Sequence, residues 1–162
     1  MNTDKEVQIN LSIRPTWSIL QDVKNAVSDL MNSKKYKVEH IDASIMCASE
    51  LVENSIKYGS SEIDSNSIMF NLMLHDNKIV IKVSNGIKDV NDLDNVKSHI
   101  EKLKQSDDPS SLYIERLKQL MVSRKQGESQ LGLYRISYEG EFKLDYLFND
   151  KILTIIATRD IT

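Results

Sequence analysis

The stretch Glu50-Leu-Val-Glu-Asn-Ser-Ile-Lys-Tyr-Gly59 decides how this chain is interpreted. Glu50, Asn54 and Lys57 fall at positions i, i+4 and i+7, so they share one face of a predicted helix over Val38–Tyr58. The glycine that closes the stretch is well placed to end that helix. A polar helix face of this kind is ordinarily solvated.

The residues around this polar face suggest that the helix is covered on two sides. One stripe is apolar and should pack on a sheet: Ile41, Ile45, Ala48 and Val52. The polar face itself also carries Ala43, Met46 and Cys47. A carboxylate and a carboxamide in a cleft need partners, because an unpaired buried polar group costs roughly 1–3 kcal/mol. A hydrated metal ion and a phosphate would supply them. The alternative, three surface residues with a Glu53–Lys57 pair, stays open on the helix alone.

The composition indicates one domain over residues 1–162. Its apolar content of 40% and charged content of 28% are ordinary for a globular protein. The formal charge of −3 gives no basic surface, so we expect no nucleic-acid partner. No apolar run approaches the ~20 residues of a membrane span, so we expect no membrane association. The single cysteine, Cys47, suits a reducing compartment, and we expect a cytoplasmic location.

The periodicity predicts a regular succession of elements. We expect a strand over Val7–Ile13, a helix from Pro15 to about Met31, the helix Val38–Tyr58, strands Ser67–His75 and Lys78–Ser84, weak helices near Asn91–Lys104 and Leu112–Lys125, a short helix Gln130–Glu139, and strands Phe142–Phe148 and Ile152–Ala157. The Asp76-Asn77 and Asn149-Asp150 pairs suit hairpin turns. The order β-α-α-β-β-(helical insert, about 88–126)-α-β-β predicts an α+β fold. We expect a two-layer sandwich with a mostly antiparallel sheet and helices on one face.

The polar helix resembles a known motif. Glu50-x-x-x-Asn54-x-x-Lys57-Tyr58-Gly59 is similar to the N-box of the GHKL superfamily, the histidine kinase-like ATPases with a Bergerat-type fold. The resemblance implies Mg-ATP or Mg-ADP as ligand. It implies that Glu50 is the general base and contacts magnesium through water, that Asn54 is the magnesium ligand, and that Lys57 and Tyr58 lie at the nucleotide.

Two further segments agree with this resemblance in order. The strand end Ser84-Asn85-Gly86 stands where the superfamily has Asp-x-Gly, so Gly86 matches a glycine and Ser84 replaces the aspartate that binds adenine. Ser84 or Asn85 would then act as a neutral acceptor. The segment Gln130-Leu131-Gly132-Leu133 resembles the glycine-rich turn that opens a helix, with Gln130 in place of a glycine. The start of that helix would present backbone N–H groups to a phosphate. The polar insert corresponds to the superfamily's lid.

A stand-alone domain of this length most resembles anti-sigma-factor serine kinases and the SiaB-type regulators of partner-switching systems. The resemblance implies a serine/threonine kinase that acts on a regulatory partner, anti-sigma-antagonist-like or sigma-factor-like, in bacterial signalling. It also suggests a homodimer. Without the aspartate, one charge-assisted hydrogen bond of roughly 1.5–3 kcal/mol is lost. The alternative is therefore a pseudokinase with a degenerate nucleotide site that works by sequestering its partner.

Overall fold

The structure is a computed structural model that describes residues 6–14, 16–58, 68–75, 77–87, 89–123 and 131–161. Within these ranges the elements follow the predicted order. They are β1 (Val7–Ile13), α1 (Ile19–Ser33), α2 (Val38–Tyr58), β2 (Ile68–His75), β3 (Lys78–Gly86), α3 (Val90–Lys104), α4 (Pro109–Ser123), α5 (Leu131–Tyr138), β4 (Lys143–Asn149) and β5 (Ile152–Asp160).

The strands form one antiparallel sheet, as predicted, and the structure gives their order across it as β1-β2-β3-β5-β4. Each strand pairs in a continuous register, and β3 lies at the centre between β2 and β5. A hairpin connects β4 to β5, and β1 and β4 are the two edges. The sheet is open, since β1 and β4 do not pair.

The helices cover one face of this sheet. Along β3, the alternate residues Ile79, Ile81 and Val83 are buried, whereas the residues between them are only partly covered. Helix α2 packs on β2 and β3, and α3 and α5 pack at β4. The structure is thus the predicted two-layer α+β sandwich, and α2 lies across the centre of the sheet.

Helix α2 is buried on more than one side. Ala48 and Val52 of the predicted apolar stripe are fully buried, and so is Cys47 on the side that also carries Glu50. Neighbouring α1 and α5 pack against α2 and account for this coverage. The polar residues of the helix therefore lie next to protein rather than on an open surface.

The helical insert forms two well-defined helices, α3 and α4. Asp108 caps the N-terminus of α4. Its Oδ1 accepts a hydrogen bond from the Ser111 backbone N–H (3.3 Å), and its Oδ2 accepts one from the Ser111 hydroxyl (2.6 Å). This capping explains why α4 begins earlier than its apolar pattern predicted. The positions that we expected to bound other elements, Pro15, Gly59 and Asp76, lie outside the described residues.

Candidate functional site

Glu50 lies where α2 crosses α5. Its side chain is 18% exposed, and its Oε1 accepts a hydrogen bond of 2.8 Å from Nη1 of Arg135. Its other oxygen, Oε2, lies directly over Gly132, so closely that a methyl group at position 132 would collide with it. The glycine thus leaves room for the Glu50 carboxylate, which would have to shift if position 132 carried a side chain. Folding brings together two of the segments that carry the resemblance.

The surroundings of Glu50 make it a stronger base than an exposed glutamate. Burial raises the pKa of its carboxyl above the ordinary value of 4.5, and repulsion from Glu53 adds to that rise. Arg135 and Lys57 oppose the increase. The carboxylate is therefore half-buried, hydrogen-bonded on one oxygen and poised to take up a proton.

Asn54 lies one turn further along α2 and is partly buried. Its amide nitrogen is inaccessible to solvent and has no hydrogen-bond partner among the atoms that the structure describes. Such a donor is costly unless an acceptor meets it. Lys57 is exposed in the last turn of the helix, and Tyr58 ends it, although the Tyr58 side chain lies outside the described residues.

The strand end of β3 divides its residues between the two faces of the sheet. Asn85 faces α2: it is only 7% exposed, its Oδ1 accepts a hydrogen bond of 2.8 Å from the Ser55 hydroxyl, and its Nδ2 donates to the Gly86 carbonyl at 3.0 Å. Ser84 lies on the opposite face, where its hydroxyl is 2.7 Å from that of Thr154 on β5. The structure therefore brings Asn85, rather than Ser84, to the helical layer.

The start of α5 supplies the third predicted segment. Leu131, Gly132 and Leu133 form its first turn, and Leu133 is fully buried while Gly132 meets Glu50. Gln130 lies outside the described residues. The structure thus brings Glu50 and the start of α5 together, Asn54 follows Glu50 one turn along α2, and Asn85 contacts α2 through Ser55.

Sequence reasoning missed the residues that organise this region. Arg135 lies one turn after Gly132 on α5, so its helical spacing from that glycine was the available signal. A cleft of about 320 Å³ opens beside Glu50 and Arg135, and its lining includes Lys24 of α1 and Ser49 of α2. The Ser49 hydroxyl is buried and has no partner among the described atoms.

The insert is tied to α5 at two points. His99 of α3 lies 2.6 Å from the Tyr134 hydroxyl through Nδ1, and the two rings meet edge to face. Burial lowers the pKa of His99 to about 4, with a further contribution from the positive charge of Arg116. On α4, the Tyr113 hydroxyl donates to Glu139, the residue that follows α5, at 3.4 Å.

Two properties of the described residues bear on which ligand they could hold. Within the described ranges, no cluster of three or more His, Cys, Asp or Glu side chains could hold a metal ion. The Asn54 amide nitrogen is covered, so a phosphate oxygen would reach it only after the side chain rotates, and the opposite amide orientation would present the Asn54 oxygen to a cation. Among the described residues, no helix is long and apolar enough to cross a membrane.

Comparison with known proteins finds likeness to solved structures. No family model matches the chain, and no curated protein matches it. A chain in the crystal structure of the SiaB-SiaC complex from Pseudomonas aeruginosa superposes with a TM-score of 0.70 at 15% sequence identity. The match covers 93% of this chain and 88% of that chain. At this identity the likeness shows a shared fold.

Proposed function

We propose that this chain is a small Mg-ATP-binding regulator that phosphorylates a serine or threonine of a partner protein. The observation that carries the proposal is the contact of the half-buried Glu50 carboxylate with Gly132, one helical turn from Asn54, whose amide nitrogen is covered and has no partner among the described atoms. The N-box resemblance of these residues supports nucleotide as the ligand. The fold shared with a chain of the SiaB-SiaC complex supports action on another protein.

The proposed reaction moves the γ-phosphoryl group of ATP to the partner's hydroxyl oxygen, which breaks the bond to ADP. Glu50 accepts the proton of that hydroxyl, a role that its raised pKa suits, because a proton acceptor works best with a pKa closer to the working pH. Asn54 holds the magnesium ion. Lys57 and the start of α5 contact phosphate.

We assign the nucleobase end to Asn85 instead of Ser84, because Asn85 faces α2. Its carboxamide oxygen retains one lone pair and its nitrogen one N–H after the bonds to Ser55 and Gly86 are made. A neutral carboxamide binds a base amine more weakly than a carboxylate does. The proposal therefore includes weak nucleotide affinity.

The partner in this proposal is a regulatory protein of bacterial signalling, anti-sigma-antagonist-like or sigma-factor-like, met in the cytoplasm. The solved neighbour was crystallised as a complex, which supports a protein partner for this fold. Anti-sigma-type resemblance also supports a homodimer as the working unit.

Thermal unfolding with Mg-ATP, with Mg-ADP and without nucleotide tests the proposal. A nucleotide at about 100 times its dissociation constant should stabilise the fold by roughly 2.7 kcal/mol. Asn54→Ala should remove the magnesium dependence of that gain. Glu50→Ala should keep the gain and stop phosphoryl transfer. Absence of any shift at millimolar nucleotide would refute the kinase.

The second candidate function is a pseudokinase that sequesters its partner without phosphoryl transfer. Two observations favour it: Arg135 already engages Glu50, and both polar ends of Asn85 are bonded inside the protein. If Asn54→Ala binds the partner as tightly as the wild type does, and the wild type transfers no phosphate, this second function is supported.

A further inference from the structure

Arg135 is held at two points of its guanidinium group. Nη1 donates to Oε1 of Glu50 on α2 at 2.8 Å, and Nε donates to Oε2 of Glu139 at 3.2 Å. Glu139 lies four residues after Arg135 and directly follows the last residue of α5. Two bonds from separate nitrogens fix the orientation of a planar guanidinium more firmly than one. The position of Glu50 is thus set by a side chain that is itself anchored.

The anchor of Arg135 is in turn connected to the helical insert. The second oxygen of Glu139, Oε1, accepts a hydrogen bond of 3.4 Å from the hydroxyl of Tyr113 on α4. The Tyr113 ring also packs against the ring of Tyr138 on α5, with 5.5 Å between centroids. Three consecutive hydrogen bonds therefore lead from α4 to the Glu50 carboxylate.

The other charged groups around Glu50 act on its carboxylate through their charge, whereas Arg135 also donates a hydrogen bond to it. Glu53 repels the carboxylate, and Lys57 attracts it from the exposed end of α2. Lys24 of α1 lines the same cleft. Among the hydrogen bonds that the described residues make to the Glu50 side chain, Arg135 supplies the one that spans two helices.

We propose that Arg135 is a positioning residue, which holds the Glu50 carboxylate against Gly132 and makes its placement depend on α4 through Glu139 and Tyr113. The inference rests on the proposed role of Glu50 as the proton acceptor. It adds a means by which movement of the insert reaches the reacting end of the site. When α4 is docked, Glu50 is held in place, and when α4 moves away, that hold weakens.

The first test needs no nucleotide. The Glu50 carboxyl is titrated by carbon NMR in the wild type, Arg135→Lys, Arg135→Gln and the control Lys82→Gln. Lys82 lies on the sheet face opposite the helices, and its replacement removes the same unit charge. We expect Arg135→Gln to raise the pKa of Glu50, Arg135→Lys to raise it less, and Lys82→Gln to leave it unchanged. A Glu50 titration in Arg135→Gln that equals the wild type would overturn the proposal.

The second test addresses the connection to the insert. The Nε–H resonance of Arg135 is compared in Glu139→Gln and Tyr113→Phe, with Tyr138→Phe as the control that removes a hydroxyl from the neighbouring ring. We expect a clear displacement in Glu139→Gln, a smaller one in Tyr113→Phe and none in Tyr138→Phe. If Tyr113→Phe and Tyr138→Phe have the same effect, α4 does not act on Arg135.

The third test measures hydrolysis of Mg-ATP to Mg-ADP and phosphate by the chain alone, in which water replaces the partner's hydroxyl as the acceptor. The affinity of the chain for Mg-ATP is measured alongside. Arg135→Gln should lower kcat by roughly 10- to 100-fold without changing the dissociation constant, and Arg135→Lys should restore part of the loss. A change confined to affinity would make Arg135 a ligand contact and overturn the positioning role. If wild type binds no Mg-ATP, the proposed function fails, while the Glu50 titration still decides whether Arg135 holds that carboxylate.

Discussion

Two carboxamides, Asn85 at the end of β3 and Asn54 on α2, differ in how the protein treats their polar atoms. Asn85 is almost fully buried, and both ends of its amide are hydrogen-bonded to the protein, to Ser55 and to Gly86. Asn54 is partly buried, and its nitrogen has no partner among the described atoms. The bonded amide contributes to folding, whereas the unbonded one is costly until something else meets it.

The difference shows where a ligand has most to offer. At the β3 end, each end of the Asn85 amide already has one protein partner, and a nucleobase would use the remaining lone pair and N–H. At the α2 end, the Asn54 nitrogen is covered and has no partner among the described atoms, so a phosphate oxygen would meet it only after the side chain rotates. Under the proposed function, a nucleotide would therefore gain more at the α2 end, where the Asn54 nitrogen has no partner among the described atoms, than at the β3 end.

The largest expected effect is on folding at the β3 end. Ser55→Ala removes the donor to Asn85, whose oxygen is then left unpaired in a buried position, and we expect a loss of about 1–3 kcal/mol in unfolding free energy. Ser44→Ala is the matched control, since that buried hydroxyl donates to the His40 carbonyl of its own helix. Urea unfolding measures both. Equal costs would show that Asn85 does not depend on Ser55.

The next effect concerns the contact between α2 and α5. Gly132→Ala forces the Glu50 carboxylate away from α5, and we expect a cost of about 1 kcal/mol in the wild-type background. In the Glu50→Ala background the same change should be neutral or stabilising, because alanine is favoured over glycine in a helix by about 1 kcal/mol. The unfolding free energies of the wild type, the two single variants and the double variant give the coupling energy between positions 50 and 132. If the effects of Gly132→Ala and Glu50→Ala on the unfolding free energy are additive, the Glu50 side chain does not contact position 132.

A smaller effect is expected at the tie between α3 and α5. The folded His99 has a pKa of about 4, below the ordinary 6.5, so the unfolded chain binds more protons between these values. The contribution of His99 to stability is therefore present above pH 6.5 and is lost as pH falls toward 4. His99→Gln should flatten this part of the pH dependence of unfolding. An unchanged profile in His99→Gln would contradict the burial of the imidazole.

The sequence predicted the elements well because their signals are local. Helix α2 has a long amphipathic pattern, and the strands alternate every second residue. The contact between Glu50 and Arg135 could not be predicted, since it joins residues 85 positions apart through tertiary packing. The face of Ser84 could have been predicted: Ile81 and Val83 are buried core positions, and the two-residue period from them leads to Asn85.

The smallest effect on stability is expected at Asn54, and it separates the two carboxamides most directly. Asn54→Ala removes a donor without a partner and introduces a better helix former, so the unfolding free energy should stay unchanged or rise by about 0.5 kcal/mol. Asn85→Ala, by contrast, should cost stability because it breaks two hydrogen bonds. If Asn54→Ala destabilises the free chain as much as Asn85→Ala does, the Asn54 amide has a partner within the protein. The proposal that Asn54 binds a ligand would then fail, because a nitrogen that is already hydrogen-bonded within the protein would gain no bond from a phosphate oxygen.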